Sequence, residues 1–539
     1  MIGIAAVWQS GGALAIRTGW DNTGPEKLER AQVQEPDVFD MVIVGAGISG
    51  IGMAAHYAEK FPGKRYLLLD RREQPGGTWD LFRYPGVRSD SDMYTLGYKF
   101  APWREDEAIV AGEKIVEYLR RVMDERNIGD HVRYGQHVLG ADWDAAAGVW
   151  RLDIQQSGGA KADGASAQVA AKFLYMGTGY YDYDVPHDAA IPGLSTFKGQ
   201  VIHPQFWPEN LDYSGKQVVV IGSGATAVTL VPAMAGNAEH VTMLQRTPTW
   251  MAVQPAKDAL ANKLRRWLPE KWAYAINRKR MALLREFVFN RSRSKPAEMA
   301  ELLTNGIRRQ LGNAYVAEDF TPPYGPWEQR MCLVPDGDFF KAMRRGKASV
   351  VTGQIERIDE SGVLLDDGRR LPADVIVTAT GLKLAVLGKV AISMGGEPVN
   401  FAEHFQYRDC MFSNVPNFAA MFGYLNTSWT LRVDIVAEWL CRLLRQMDAW
   451  HMDVATPALP ADHDLIEDQP FDLLSSGYLK RGRHLLPKSS TTAPWQMQMD
   501  YRTDRRELAA ALIDDGWMAF TRLPRAARAA DLAPVPALN

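Results

Sequence analysis

Cysteine is scarce in this chain: three residues in 539, at positions 332, 410 and 441. None forms a CxxC or CxxxxC pair, which argues against a redox-active disulfide of the usual spacing and against a zinc-ribbon site, so no metal is expected. A reducing cytoplasm suits that usage. Net charge is equally sparse, formally −3, and gives no electrostatic case for nucleic acid as a partner. Long apolar runs are missing too. The uncharged stretch 218–236 contains three glycines, a serine and Pro232, and reads as strand, turn and buried helix instead of a membrane span. The opening MIGIAAVWQSGGALAIRTG lacks a basic start and is broken by Gly11 and Gly12. It makes a poor signal peptide, and residues 1–37 are read as a loosely ordered extension.

What is present is ordinary globular material, 46% hydrophobic and 23% charged, long enough for two or three domains. Two segments read as the start of a dinucleotide-binding unit. In FDMVIVGAGISGIGMAAHYAEKF, a short apolar strand meets Gly45, Gly47 and Gly50 in GxGxxG spacing, then a helix. The first glycine permits the tight turn, the second lets a pyrophosphate approach the backbone, and the third lets helix pack on strand. The phosphate would sit at the helix N-terminus, where amide donors and the dipole favour an anion. The next strand, RYLLLD, ends in Asp70, twenty residues beyond Gly50, where a ribose-binding acid is expected.

The second start, QVVVIGSGATAVTLVPAMA, offers Gly222 and Gly224, with Ala227 in the third place. Its following strand ends in Arg246 and Thr247, with no acid where Asp70 stood. Arginine cannot accept a hydrogen bond from a ribose 2′-hydroxyl but can pair with a 2′-phosphate. The first unit therefore reads as an FAD or NAD site and the second as an NADP site, a solvated surface arginine being the plain alternative. The starts lie 177 residues apart and each unit is left through a glycine-containing exit, FLYMGTGYY and DVIVTATGLK. That order suits one nucleotide domain inserted in the other.

Three further stretches stand out. GGTWDLFRYPGVRSD, residues 76–90, combines Gly76 and Gly77 with Trp79, Tyr84 and a closing Asp90; the aspartate could join an arginine beside the cofactor or cap the next helix. FKGQVIHPQFWPE, residues 197–209, puts a histidine and a tryptophan four residues apart between the two nucleotide starts. Residues 255–310 hold 14 Lys+Arg against 5 Asp+Glu, with Trp267, Trp272, Phe287 and Phe289 interleaved. They read as three helices, 258–272, 273–291 and 297–311. A lid with a solvated basic face is preferred there, and a segment lying on anionic lipid is the other reading.

Taken together, these motifs resemble the flavin-dependent Baeyer–Villiger monooxygenases of the single-chain kind, class B flavoproteins using FAD and NADPH. Phe197, Gly199, His203, Trp207 and Pro208 fit that family's FxGxxxHxxxWP fingerprint, and residues 76–90 fit its second motif. GGTWDLFRYPG, SDSDMYTLGY and NTSWTL are most similar to the branch whose members also oxidise thioamides and other sulfur compounds. The resemblance implies an α/β fold of two doubly wound domains: FAD domain at 38–180 and 381–539, NADP domain at 181–380, helical insertion at 255–318. It implies FAD contacts from Gly45, Gly47, Gly50, Asp70, Arg71, Gly77, Thr78, Trp79, Asp90 and Val138. NADP contacts follow from Gly222, Ser223, Gly224, Ala225, Thr226, Arg246, Thr247, Gln329 and Arg330.

A lone histidine invites a catalytic reading. The resemblance implies instead that His203 and Trp207 hold the inter-domain connection, and that Arg330, held by Asp90, is the catalytic residue. Its fixed positive charge would stabilise the anionic C4a-peroxide of the flavin and the adduct with a ketone, which rearranges to an ester or lactone. Many family members carry lysine where Gln329 stands, so Arg246 carries most of the NADPH preference here. The expected partners are a small ketone or sulfide and O2, with oxidation mainly at sulfur or nitrogen as the alternative activity. A disulfide reductase is excluded by the missing cysteine pair, and a non-catalytic NADPH sensor would have no use for Arg330.

Overall fold

The computed structural model describes residues 37–156 and 166–524, so the extension read at the N-terminus and the last residues of the tail lie outside the described residues. Strand Asp37–Val44 runs parallel to Tyr66–Leu69 on one side and to Ser166–Met176 on the other. Its side chains alternate between two cores: Met41 and Ile43 enter one, Val42 and Val44 the other. Burial on both faces is why this strand reads as a continuous apolar run and not as an alternating one. The sheet grows antiparallel through Val149–Gln156 and Gln136–Asp144, then takes up Ala391–Met394 and Glu397–Pro398. Phe418–Ala420 adds beside Ser166–Met176.

Between these two contributions the chain builds a second sheet. Its five parallel strands lie in the order Ala348–Thr352, His240–Gln245, Gln217–Ile221, Val375–Thr378, Gln200–Ile202. Here too alternate residues part: Val218 and Val220 face one core, Val219 and Ile221 the other. The chain thus makes part of one Rossmann-like sheet, all of a second, and returns to complete the first, an α/β fold with helical insertions. The edge strand Gln200–Ile202 belongs to the histidine–tryptophan stretch, so this stretch is an element of the second lobe's sheet and not a free connection.

The returning chain continues into helix Thr430–Trp450, which packs on helix Ile48–Lys60: a Cβ on Gly52 would come within 2.6 Å of Val433, and His56 meets Asp434 at 3.2 Å. The insertion forms helices Ala259–Trp267, Glu270–Ser294 and Pro296–Leu311. The first break falls earlier than the sequence reading put it, at Leu268–Pro269, because the residue before a proline is pushed to extended backbone (φ −118°, ψ 151°).

The long middle helix is fixed to the first lobe. Buried Arg278 donates to Tyr94 O and pairs with Asp434 at 2.6 Å, and Arg285 pairs with buried Asp92 at 2.7 Å. Removing one partner of such a buried pair typically costs roughly 3–5 kcal/mol, so this face of the insertion is a structural seam.

Candidate functional site

The first glycine turn is held by contacts that exclude side chains. Gly45 has φ +103° and an added Cβ would lie 2.8 Å from Gly177 O, while one on Gly50 would lie 1.9 Å from Gly45 O. Gly47 faces Gly77 across the turn, its nearest neighbour for a Cβ being 3.6 Å away. The helix that follows has neither a side-chain cap nor an acidic residue in its first turn, so its leading amides remain available to an anion. Asp70 is buried at the end of the next strand and accepts from Ala46 N (2.6 Å) and Arg72 N (2.8 Å). Burial raises its pKa and these amides work the other way. Two of a carboxylate's roughly four acceptor sites remain for a diol.

Two adjoining cavities share Gly45, Asp70, Thr178, Tyr181 and Tyr183, forming one trench. One end reaches Arg71, His137 and Val138; the other, about 1050 Å³ of space open to solvent, reaches Thr78, Trp79, Asp90, Arg330, Tyr424 and Trp429. The trench fits an extended dinucleotide with a flat ring: a phosphate cradle in the middle, an acid for ribose beyond it, and aromatic walls at the far end. Arg71 is braced by Asp184 at 2.8 Å and lies 5.4 Å from the Tyr183 ring centre.

At the wide end Arg330 pairs with Asp90 at 2.7 Å, their side chains 30% and 38% exposed. Burial opposes the guanidinium charge, the Asp90 carboxylate is the largest influence working the other way, and the pKa of Arg330 is raised. The group is a permanent cation. Asp90 does not cap the following helix; Asp92 does, accepting from Thr95 N at 3.0 Å. Arg88, beside Asp90 in sequence, turns to Asp338 of the second lobe instead. Arg330 is placed by strand Cys332–Pro335, which pairs with Met251–Gln254.

In the second glycine turn Gly222 has φ +136° and no room for a Cβ, which would lie 2.2 Å from Ala379 O. Gly224 has nothing within 4 Å, and it and Ala225 are exposed at an uncapped helix start. Ser223 Oγ donates to Thr247 O at 2.9 Å, tying the turn to the strand end that carries Arg246. Arg246 is exposed, with no ion pair among the described residues. Gln329 is half-buried beside Arg330. Tyr84 of the first lobe bonds Thr226, and burial pushes its pKa up to about 12.

The fingerprint residues stand apart from the trench. A Cβ on Gly199 would lie 2.3 Å from Asp374 O and 2.6 Å from the Phe197 ring, a packing need. His203 accepts from Gln205 N at 3.2 Å and burial lowers its pKa, so the ring is neutral at physiological pH. Gln205 donates to Asp182 O at 2.7 Å, linking this segment to the exit from the first sheet. Trp207 lines a groove with Arg72, Asp80, Arg83 and Pro85, so the two long motifs meet there, and Pro208 is exposed.

Several lining residues were not singled out from the sequence. Trp429 donates to Ser49 Oγ at 2.7 Å and stacks on Tyr180 with centroids 5.1 Å apart. Tyr183 OH is 3.1 Å from Thr78 Oγ1. Tyr180 and Tyr181 follow the strand that pairs with Asp37–Val44, and that pairing, signalled only by the GTGYY exit, brings them to the glycine turn.

A family profile described as pyridine nucleotide-disulphide oxidoreductase matches residues 42–286. The disulfide half of that description finds no counterpart, since all three cysteines are free and buried. The FAD-containing monooxygenase EthA of Mycobacterium tuberculosis is 45% identical over 488 residues, 90% of this chain and 98% of its own. The probable FAD-binding monooxygenase AlmA of Acinetobacter baylyi is 44% identical over 485 residues, 90% and 96% of the two chains. Among solved structures, an oxidised steroid monooxygenase bound to NADP shares the fold with TM-score 0.71 at 22% identity, covering 90% of this chain and 100% of that one. A cyclohexanone monooxygenase in complex with ε-caprolactone does so with TM-score 0.69 at 19% identity and the same coverage.

Proposed function

The chain belongs to the FAD-containing monooxygenases of the EthA type, enzymes using FAD and NADP(H), and from that premise we propose that it transfers one oxygen atom from O2 chiefly to sulfur, in thioethers or thioamides. The observation that carries this reading is the 45% identity to EthA along 90% of the chain, joined to the branch-like wording of its motifs. The solved structures named for ketone substrates lie near 20% identity and speak for the fold alone. The balance is NADPH + H⁺ + O2 + sulfide giving NADP⁺ + water + sulfoxide. Oxidation of a ketone to an ester is the second reading, favoured by the Arg330–Asp90 pair.

Gly45, Gly47 and Gly50 would seat the FAD pyrophosphate, Asp70 the ribose, and Arg71 and Val138 the adenine end. Gly77, Thr78 and Trp79 would face the flavin, and Gly222 to Thr226 with Arg246, Thr247 and Gln329 the NADP. Bound FAD, reduced by NADPH, supplies the electrons and the activation of O2. Arg330 supplies fixed positive charge where negative charge gathers on oxygen, and Asp90 holds that guanidinium in place. Tyr180 and Tyr181, their pKa values raised by burial, keep their protons at neutral pH and wall the site without adding charge. His203, Trp207 and their neighbours would keep the two lobes in register as the nicotinamide comes and goes.

A thioether and a ketone of matched size, offered to FAD-loaded enzyme with NADPH, separate the readings. The sulfur reading expects sulfoxide with the higher kcat/KM. Ester formed with equal or higher efficiency would put the ketone reading first.

A further inference from the structure

The insertion leaves an apolar stripe facing water, and we propose that this face docks on an anionic lipid bilayer. Helix Glu270–Ser294 turns Ala273, Tyr274, Asn277, Arg278 and Ser292 inward. Its opposite side carries Trp272, Ile276, Leu283 and Phe287, spaced by four, seven and four residues along one line. Trp272 is 68% and Phe287 63% exposed, and Trp267, at the end of the preceding helix, is 78% exposed. A solvated basic face would account for charges here but not for two tryptophans and a phenylalanine held out in water.

The charges sort by side. The arginines facing the first lobe, Arg265, Arg278 and Arg285, are paired with Asp106, Asp434 and Asp92. Lys263, Arg266, Lys271, Lys279 and Arg293 are exposed and have no ion pair among the described residues. Four of the five acids in 255–310 are occupied: Asp258 by Arg280, Glu270 by Arg104, Glu286 by Arg502 and Glu298 by Arg291. Tryptophan and phenylalanine flanked by free lysines is the pattern of a helix lying in the headgroup region, its rings at the acyl boundary and its ammonium groups on lipid phosphates. Among the described residues no helix is long and apolar enough to cross a membrane, so the contact lies on the surface. A second copy meeting this face would bring free cations against free cations; an anionic bilayer complements them. The same helix reaches the segment that carries Arg330, Phe289 lying 5.5 Å edge-on to Trp327, three residues before it. The docking itself does not rest on the reaction proposed above.

The test uses full-length, FAD-loaded protein sedimented with vesicles of phosphatidylglycerol and phosphatidylcholine in equal parts, and with phosphatidylcholine alone. Binding to the anionic vesicles that weakens with salt is expected. The combined Lys263→Glu, Lys271→Glu, Lys279→Glu variant should bind more weakly by about a hundredfold or more. Trp267→Ser, Trp272→Ser, Phe287→Ser should lose binding while FAD content and NADPH oxidation in solution stay unchanged. Failure to bind anionic vesicles, or binding indifferent to the apolar variant, would overturn the proposal. So would a dimer in sedimentation velocity that the same variants dissolve, since the face would then be taken by a second copy.

Discussion

In the function proposed above, Arg330 supplies a charge that cannot be titrated away, and Asp90 pairs with it at 2.7 Å. The demand on it differs between substrates. A ketone adduct places full negative charge on oxygen, whereas attack by sulfur builds no comparable anion. Arg330→Ala should therefore lower ester formation by roughly 100-fold or more, the scale of losing one fixed oxyanion donor, and sulfoxide formation by much less. Equal losses for both products would remove the distinction. Arg246 makes the second prediction at this scale. A charge-assisted contact with phosphate is worth about 1.5–3 kcal/mol, so Arg246→Ala should raise KM for NADPH by about tenfold or more and leave that for NADH unchanged. A parallel rise in both would sink its role. The Arg330–Asp90 pairing joins positions 240 residues apart, and no spacing rule could have read it; resemblance supplied it. The sequence left Asp90 open as a helix cap or an arginine's partner, and only folding gave it to the arginine and the cap to Asp92.

Among elements, the two glycine turns were the most legible, because the close approach of strand, turn and helix leaves few residues that fit. They also separate folding from binding. A Cβ on Gly50 meets backbone oxygen at 1.9 Å, so Gly50→Ala should cost the folded, FAD-bound protein. A Cβ on Gly224 meets nothing within 4 Å, so Gly224→Ala should fold and keep FAD yet bind NADPH poorly, as titration of flavin reduction would show. Normal NADPH affinity in that variant would move the second pyrophosphate elsewhere. Helix Thr430–Trp450 was legible in the sequence only as AEWLCRLLRQMDAW, 437–450, and its buried charge was not. Arg432 lies between Asp504 at 2.9 Å and Asp409 at 3.8 Å. Burial pushes the Asp409 carboxyl up to about 8, with Arg432 pulling the other way. Between its ordinary value of about 4 and about 8, the folded form holds a proton that the unfolded chain has released, so stability is full at the acid end and falls as pH rises through that window. Asp409→Asn should flatten the fall in Tm between about pH 5 and about pH 8. A variant with the wild-type slope would mean that another group titrates.

For the molecule as a whole, one sheet begun, a second completed and the first resumed is the arrangement that lets a trench in one lobe receive an arginine from the other. The alternation of nucleotide starts and exits made that order readable. The aromatic walls were not, because Tyr180 and Trp429 come together from far apart in the chain. Nor was the seam of buried arginines that binds the insertion to the first lobe, since a sequence shows a run of charge but not which members face inward. In the function proposed here, this assembly passes one atom of O2 to a small substrate at the expense of NADPH. The direct measurement supplies FAD-loaded enzyme with NADPH, a thioether and ¹⁸O2, and weighs the product against NADPH consumed. Sulfoxide carrying one ¹⁸O, formed in step with NADPH oxidation, is expected. Consumption of NADPH yielding hydrogen peroxide with no labelled product from any thioether, thioamide or ketone would contradict it.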